Sequence, residues 1–301
     1  MAARFWLGVL GAELVLSVLL DLLLCEAFSL PAGASLALLP VILVLSPWIL
    51  AGIALALWYP YGEPANGRGA AALRGLCSME PAHLTRAALS MSLDLPGERT
   101  SRTSQSRTAR GPVLLIHGLL CNGALWRPLR KRLNRSGWGP VRAVNLEPLM
   151  ADLESHAKSI ERELLALKRG GNGEPVTIIT HSMGGLIARA ALRAAGPEVV
   201  RRIVTVACPH HGTLFARHLK LAPLGQMRPG SLWLQALNAQ QEQRLPVPVT
   251  SIFGLDDALI VPAQSARLGG ARCEAVRGLG HFGLLRAHGA LDRILDAVLL
   301  E

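Results

Sequence analysis

The chain has 301 residues, half of them hydrophobic, and an excess of Lys and Arg over Asp and Glu gives a formal net charge of +10. A basic balance can indicate nucleic-acid binding. However, no basic stripe interleaved with aromatic residues and no nucleic-acid-binding module occurs, which excludes nucleic acid as the partner. Contact with anionic lipid headgroups explains the charge better, with a plain solvated surface as the alternative.

Two apolar segments near the N-terminus are each long enough to cross a membrane as a helix. Residues 5–24 and 36–59 are almost wholly apolar, and a bilayer core of about 30 Å needs about 20 such residues. Residues 1–60 therefore predict a transmembrane helical hairpin, uncleaved because no small-x-small cleavage site follows the first helix. The alternatives are one cleaved and one retained segment, or two buried soluble helices.

Basic residues near the ends of these segments indicate how the hairpin is oriented. Arg4 precedes the first segment, Arg68 and Arg74 follow the second, and the intervening loop 25–35 has no basic residue. Lys and Arg near helix ends favour the cytoplasmic side. We therefore expect both ends, and the rest of the chain, on that side.

Residues 61–110 differ in composition from the segments around them. They end in the polar stretch LPGERTSRTSQSRTAR, which has no apolar period and predicts a flexible linker. Within them, residues 81–93 predict a short amphipathic helix. The five cysteines of the chain are scattered without CxxC or Cys/His metal spacing, and we interpret them as free thiols.

From Gly111 onwards, short apolar strands alternate with helices. The strands are PVLLIHG, VRAVNLEP, VTIITHS, RIVTVACP, PVTSIFG and RCEAV, and the helices cover residues 125–133, 151–169, 183–195 and 286–300. Apolar strands separated by helices predict a mostly parallel sheet covered on both faces. Residues 111–301 are thus predicted to form one α/β domain. The Leu-rich residues 214–243 interrupt this alternation and predict a cap or lid, or else ordinary core cover.

Ser182 lies where the strand VTIITHS ends and the next helix begins. A nucleophile at such a bend is lifted above the sheet, and the residues two positions away must be small. Gly184 meets this requirement, whereas Thr180 departs from the usual G-x-S-x-G pattern. The N-terminus of the following helix favours an oxyanion at the same place.

A serine hydroxyl requires a base to activate it, and the base requires an acid to orient it. Asp256 and Asp257 follow an apolar strand, and His281 lies in a Gly-rich turn before the last helix. The chain order of serine, acid and histidine is that expected of a strand-to-helix nucleophile. One of the two aspartates is expected to serve a turn and helix cap, and the residues alone do not decide which.

Residues 111–301 contain six motifs, in this order: LLIHGLLCNGALW, THSMGG, ACPHHGT, QMRPGS, DALIVP and GLGHFGLL. Together they resemble bacterial serine lipases and esterases of the α/β-hydrolase superfamily. The resemblance implies an α/β-hydrolase fold, Ser182 as nucleophile, His281 as base, and Asp257, five residues before a proline, as acid. It further implies an oxyanion hole formed by the backbone N–H groups of Leu119 and Met183.

The sequence therefore predicts a serine carboxylic-ester hydrolase anchored in a bacterial inner membrane and acting on lipid-like acyl esters. An acyltransferase or thioesterase using the same triad is the alternative, and a catalytically inactive membrane scaffold is an alternative of another class. This reaction needs no cofactor. No metal is expected either, because the adjacent His210 and His211 point apart on an extended chain. His117 and His181 are expected to be structural, and Cys121 to be a packing thiol.

Overall fold

The computed structural model describes residues 80–92, 110–217, 221–239 and 245–300, together with isolated positions between residues 4 and 18. The predicted hairpin over residues 1–60 lies almost entirely outside the described residues, as does most of the linker. None of the helices in the described part is both long and apolar enough to span a bilayer. The membrane anchor stays a prediction.

The centre of the fold is a parallel sheet of six strands. In chain order these strands are β1 (Val113–Ile116), β2 (Val141–Ala143), β3 (Val176–His181), β4 (Val200–Val206), β5 (Val249–Gly254) and β6 (Arg272–Val276). Their order across the sheet is β2-β1-β3-β4-β5-β6, and every neighbouring pair is parallel. Parallel strands carry their carboxyl ends to one edge, which brings the loops after β1, β3, β5 and β6 together.

Helices connect and cover these strands. The helices of the described residues are α1 (Glu80–Ser92), α2 (Arg127–Arg135), α3 (Leu153–Gly170), α4 (Met183–Ala195), α5 (Ala222–Gln226), α6 (Leu232–Ala239) and α7 (His288–Leu299). The observed sheet and its flanking helices confirm the predicted α/β architecture. Helix α1 coincides with the predicted amphipathic segment within one residue at each end.

Two predicted helix boundaries differ from the observed ones for identifiable reasons. The helix predicted from residue 125 starts as α2 only at Arg127, after a 3-10 turn over Gly123–Trp126. Pro128 has no N–H group and fits only the first turn of an α-helix. The helix predicted from residue 151 begins at Leu153 because the Asp152 side chain caps it, accepting from the Ser155 N–H at 2.9 Å.

The alternation of side chains along β1 builds two separate cores. Leu114 and Ile116 point to the face covered by α3 and α4, whereas Val113 and Leu115 point to the face covered by α1, α2 and α7. All four side chains are fully buried. The sheet is therefore covered on both faces, as its apolar strands predict.

The segment over residues 214–243, predicted as a cap or else as core cover, contains in its described part short helical segments attached to the start of α3. A 3-10 turn over Leu214–Arg217 precedes α5 and α6. Gln226 in α5 accepts a hydrogen bond from the Leu153 N–H at 2.6 Å, and the Trp233 indole in α6 donates to Glu154 at 3.1 Å. Leu232, at the start of α6, is 84% exposed.

Candidate active site

Ser182 occupies a sharply bent backbone position between β3 and α4. Its φ of 55° and ψ of −129° lie outside the regions that residues with a Cβ prefer. A hydrogen bond of 2.8 Å from its N–H to the Val206 carbonyl holds this conformation. The Ser182 side chain does not cap α4, and strain of this kind is typical of functional positions.

Two glycines allow the turn after β1 to approach this bend closely. A Cβ added to Gly118 would lie 2.8 Å from Cβ and 3.3 Å from Oγ of Ser182, and a Cβ on Gly184 would lie 2.6 Å from the Ile116 carbonyl oxygen. The distances of 2.8 Å to Ser182 Cβ and 2.6 Å to the Ile116 carbonyl oxygen are too short for real Cβ contacts, so only glycine permits this packing. The turn that contains Leu119 is thereby held against Ser182.

The two predicted oxyanion donors lie on either side of this contact. Met183 is the first residue of α4, where a helix leaves its N–H groups without an intrahelical acceptor. Leu119 directly follows Gly118. In the described part of the chain neither of these backbone N–H groups donates to a protein acceptor, which leaves both available to a ligand.

Thr180, which departs from the usual glycine at this position, is accommodated by Gly185. Thr180 is fully buried, and a Cβ on Gly185 would lie 3.1 Å from its Oγ1 and 2.5 Å from Cys208 Sγ. The missing side chain at residue 185 provides the space that the threonine needs. The strained bend at Ser182 therefore forms despite the altered motif.

The structure distinguishes the two candidate acids. Asp257 Oδ2 lies 2.8 Å from His281 Nδ1, and both side chains are buried. The other oxygen, Oδ1, accepts from the N–H groups of Leu259 and Ile260 at 2.8 and 3.0 Å. Asp256 instead accepts from the Gly278 N–H at 2.8 Å. This hydrogen bond joins the loop after β5 to the loop after β6.

His181 links the Asp257–His281 pair to the bend at Ser182. Its ring centroid lies 4.5 Å from that of His281, and its Nε2 donates to the His281 carbonyl at 3.0 Å. Burial, followed by the charge of His281, lowers the pKa of His181 well below its usual value, so the ring is neutral.

His117 ties the turn after β1 to the loop after β2. Its Nδ1 lies 2.8 Å from the Gly118 carbonyl, and its Nε2 accepts from the Leu146 N–H at 3.1 Å. This arrangement requires a neutral ring with the proton on Nδ1. Burial lowers the pKa of His117 to about 4. His117 thus shapes the turn, as the sequence predicts.

His210 belongs to a buried polar network that connects the sheet to α6. It lies 3.2 Å from Arg189 Nη1 and 3.1 Å from Thr205 Oγ1. Asn238 of α6 accepts from Arg189 at 2.8 Å and donates to the His210 carbonyl at 3.1 Å. Burial lowers the pKa of Arg189 to about 10. His210 is therefore occupied by structural hydrogen bonds, and the described residues contain no cluster able to hold a metal.

The cysteines of the described residues are reduced and largely inert. Cys121, Cys208 and Cys273 are free thiols, the first two of them buried. Burial raises the pKa of both Cys121 and Cys208 to about 12, so neither is a thiolate at neutral pH.

Sequence comparison relates part of this chain to known hydrolases. A model of the PGAP1-like alpha/beta domain matches residues 152–271, which include Ser182 and Asp257. The triacylglycerol lipase of Pseudomonas fragi is 29% identical over 125 residues, which span 39% of this chain and 41% of that lipase. The match thus covers less than half of the lipase.

Two solved lipase structures share the fold. Lipase B of Aspergillus fumigatus superposes with a TM-score of 0.58 at 18% identity, over 68% of this chain and 55% of its own. The mature lipase BlEst2 of Bacillus licheniformis superposes with a TM-score of 0.56 at 17% identity, over 67% and 95%. These similarities identify the domain as an α/β-hydrolase fold.

Proposed function

We propose that this chain is a serine carboxylic-ester hydrolase that uses Ser182, His281 and Asp257. The observation that carries the proposal is the buried 2.8 Å contact between Asp257 and His281, beside a serine held at positive φ on the same sheet edge. A buried carboxylate that orients an imidazole near a strained serine is the arrangement of acyl-transfer catalysis. The similarity to triacylglycerol lipase supports the same reaction class.

The geometry around Asp257 decides which nitrogen of His281 acts as the base. A proton on Nδ1 faces the carboxylate, so Nε2 carries the free electron pair. The Leu259 and Ile260 N–H groups donate to the other oxygen of the carboxylate and fix its orientation toward the imidazole. His281 Nε2 then takes the proton of Ser182 as Oγ attacks the acyl carbonyl. The hydrogen bond from Ser182 Oγ to His281 Nε2 is expected to shorten when substrate binds, because catalytic hydrogen bonds are often long without substrate.

The tetrahedral intermediate places a negative charge on the former carbonyl oxygen. The N–H groups of Met183 and Leu119 donate to it, and the N-terminal end of α4 adds its dipole. Each such donor lowers the barrier by about 2.7–4 kcal/mol. His281 next protonates the leaving alcohol. A water molecule, activated by the same imidazole, releases the acyl group and restores Ser182.

The substrate is proposed to be a lipid-like acyl ester that the enzyme binds at a membrane surface. The predicted hairpin over residues 1–60 would anchor the chain, with the linker over residues 61–110 and the catalytic domain on the cytoplasmic side. Exposed apolar side chains of the cap, Leu221 and Leu232, are available to an acyl chain or a lipid surface. Net charge +10 favours anionic lipid.

Hydrolysis of p-nitrophenyl esters of graded acyl length tests this proposal. Ser182→Ala is expected to lower kcat/KM at least about ten-thousand-fold, since the nucleophile is lost. Ser265→Ala, which changes a buried serine outside the site, serves as the control. A kcat/KM of Ser182→Ala equal to that of the wild type would refute the assignment of Ser182 as the nucleophile.

The same assay separates the alternatives. Faster turnover and ester products on addition of an alcohol acceptor would favour an acyltransferase, and preference for acyl thioesters would favour a thioesterase. Absence of activity in the wild type, together with no labelling of Ser182 by a fluorophosphonate, would favour an inactive scaffold. A reporter fused at Glu301 would identify the membrane side of the domain.

A further inference from the structure

Helix α1 brings basic residues against the catalytic domain. It packs on the 3-10 turns over Gly123–Trp126 and Gly283–Leu285. Arg127 Nη1 donates to the Ser90 carbonyl at 3.0 Å, and Asn122 Nδ2 donates to the Met91 carbonyl at 2.8 Å. Met91 and Ala87 are buried in the core below. The position of α1 is therefore fixed relative to α2 and to the segment before α7.

Four basic side chains gather at this junction, and we refer to them as the basic cluster: His83, Arg86, Arg127 and Arg286. Burial, followed by the nearby charges of Arg127 and Arg86, lowers the pKa of Arg286. Burial, followed by the charges of Arg86 and Arg286, likewise lowers the pKa of His83. Arg286 is thus close enough to Arg86 and Arg127 for their charges to repel it, and His83 is close to Arg86 and Arg286.

Arg286 is the anomalous member of the basic cluster. Its Nε and Nη2 atoms are buried and have no hydrogen-bond partner. The ion pairs of the described residues involve other arginines, and Arg286 forms none of them. Although Arg286 as a whole is half-buried, guanidinium N–H groups removed from water without an acceptor are unfavourable. The Nδ1 atom of His83 is buried without a partner as well.

We propose that the basic cluster binds a phosphate-type oxyanion, as free phosphate or as the headgroup phosphate of a lipid. A guanidinium offers a planar fork of N–H groups that matches two oxygens of a phosphate. A doubly charged oxyanion also offsets the repulsion among three neighbouring arginines, which a neutral ligand would leave in place. The buried donors of Arg286 and the exposed Arg86 would then hold opposite sides of one anion.

The proposed anion site is close to the catalytic residues but separate from them. Arg286 follows His281 by five residues, and its charge acts on Cys121, whose N–H donates to the Gly118 carbonyl in the turn of the oxyanion donors. Within the part of the chain that the structure describes, no hydrogen bond joins the four basic residues to Ser182 or Asp257. The proposal does not rest on the esterase function, and Ser182→Ala is expected to bind the anion unchanged.

Thermal unfolding of the full-length chain in detergent, with inorganic phosphate titrated against sodium chloride at matched ionic strength, tests the site. Wild-type Tm is expected to rise saturably with phosphate and not with chloride. Arg86→Ala, at an exposed position, should weaken phosphate binding about tenfold or more. Arg286→Met should abolish the response and, because it removes two buried N–H groups that have no acceptor, should not lower Tm in phosphate-free buffer. Arg169→Ala, an exposed arginine on α3, removes the same charge and should respond like the wild type.

A second titration separates the two sources of phosphate. Dihexanoyl phosphatidic acid that binds about tenfold more tightly than inorganic phosphate, and loses that affinity in Arg86→Ala, would assign the site to a lipid headgroup. Equal affinities would assign it to free phosphate. A wild-type Tm insensitive to both ligands would overturn the proposal, as would Arg86→Ala and Arg286→Met variants that respond like Arg169→Ala.

Discussion

His117 provides the clearest link between a single side chain and the stability of the candidate site. Its ring is buried, accepts from the Leu146 N–H and contacts the Gly118 carbonyl. A proton added to Nε2 would point at the Leu146 N–H, so protonation breaks this bond as well as charging a buried ring. We therefore expect acid to destabilise the fold through His117.

The magnitude follows from the two pKa values of His117. The ring titrates at 6.5 when unfolded and at about 4 when folded, because burial disfavours the charged form. The unfolded chain therefore takes up a proton first, so this contribution to stability is fully present above pH 6.5. It is lost as the pH falls toward 4. Between about pH 7.5 and about pH 4.5 the loss from His117 alone amounts to about 2.5 kcal/mol.

Urea unfolding of the wild type and of His117→Gln at these two pH values measures this term. Glutamine does not titrate and can still accept from the Leu146 N–H, so the variant should lose about 2.5 kcal/mol less stability on acidification. Other buried histidines, such as His181 and His210, take up protons equally in both proteins. Their contributions to the pH dependence of the unfolding free energy therefore cancel in the comparison. His288→Gln, at an exposed position of α7, is the control. An unchanged pH dependence in His117→Gln would refute the reasoning.

Two further substitutions test the site and its packing. Asp257→Asn should reduce kcat about ten-thousand-fold by leaving His281 in the wrong tautomer. Asp256→Asn can still accept from the Gly278 N–H and should lower kcat less than about tenfold. Equal losses of kcat in the ester assay would contradict the assignment of Asp257 as the acid. Gly185→Ala should destabilise the fold by about 1–3 kcal/mol in urea unfolding, because the new Cβ would lie 2.5 Å from Cys208 Sγ. Gly289→Ala is the control, since a Cβ added there meets no atom within 4 Å. Equal stabilities of the two variants would contradict the steric argument.

The sequence predicts the elements of the domain because their signals are local. The apolar run of β3, the two glycines after Ser182 and the polar end of the linker can each be interpreted within about ten residues. The alternation of these elements indicates a parallel sheet, and the chain order of serine, acid and histidine follows from the same pattern. The helical hairpin and its orientation are predicted in the same way, and they stay predictions.

The choice between Asp256 and Asp257 shows where local information ends. Adjacent residues share their neighbours in sequence, and only the registered packing of β5 against β6 determines which carboxylate meets His281, 24 residues away. The exchange of space between Thr180 and Gly185 is similar. From the motif alone the threonine weakens the prediction of a bend, and the compensating glycine becomes visible only when β3 and α4 are packed together.

What the sequence by itself determined is therefore the α/β architecture, the bend at Ser182 and a short set of candidate partners, since hydrophobic periodicity and turn chemistry act over neighbouring residues. The resemblance implied Asp257 as the acid, but only the tertiary structure brings its carboxylate against His281. The tertiary structure also decided that the His117 ring is neutral and that Arg286 is half-buried beside two other arginines. Those outcomes depend on contacts between residues distant in the chain, whose energies arise only when the whole sheet and its helices exclude water around them.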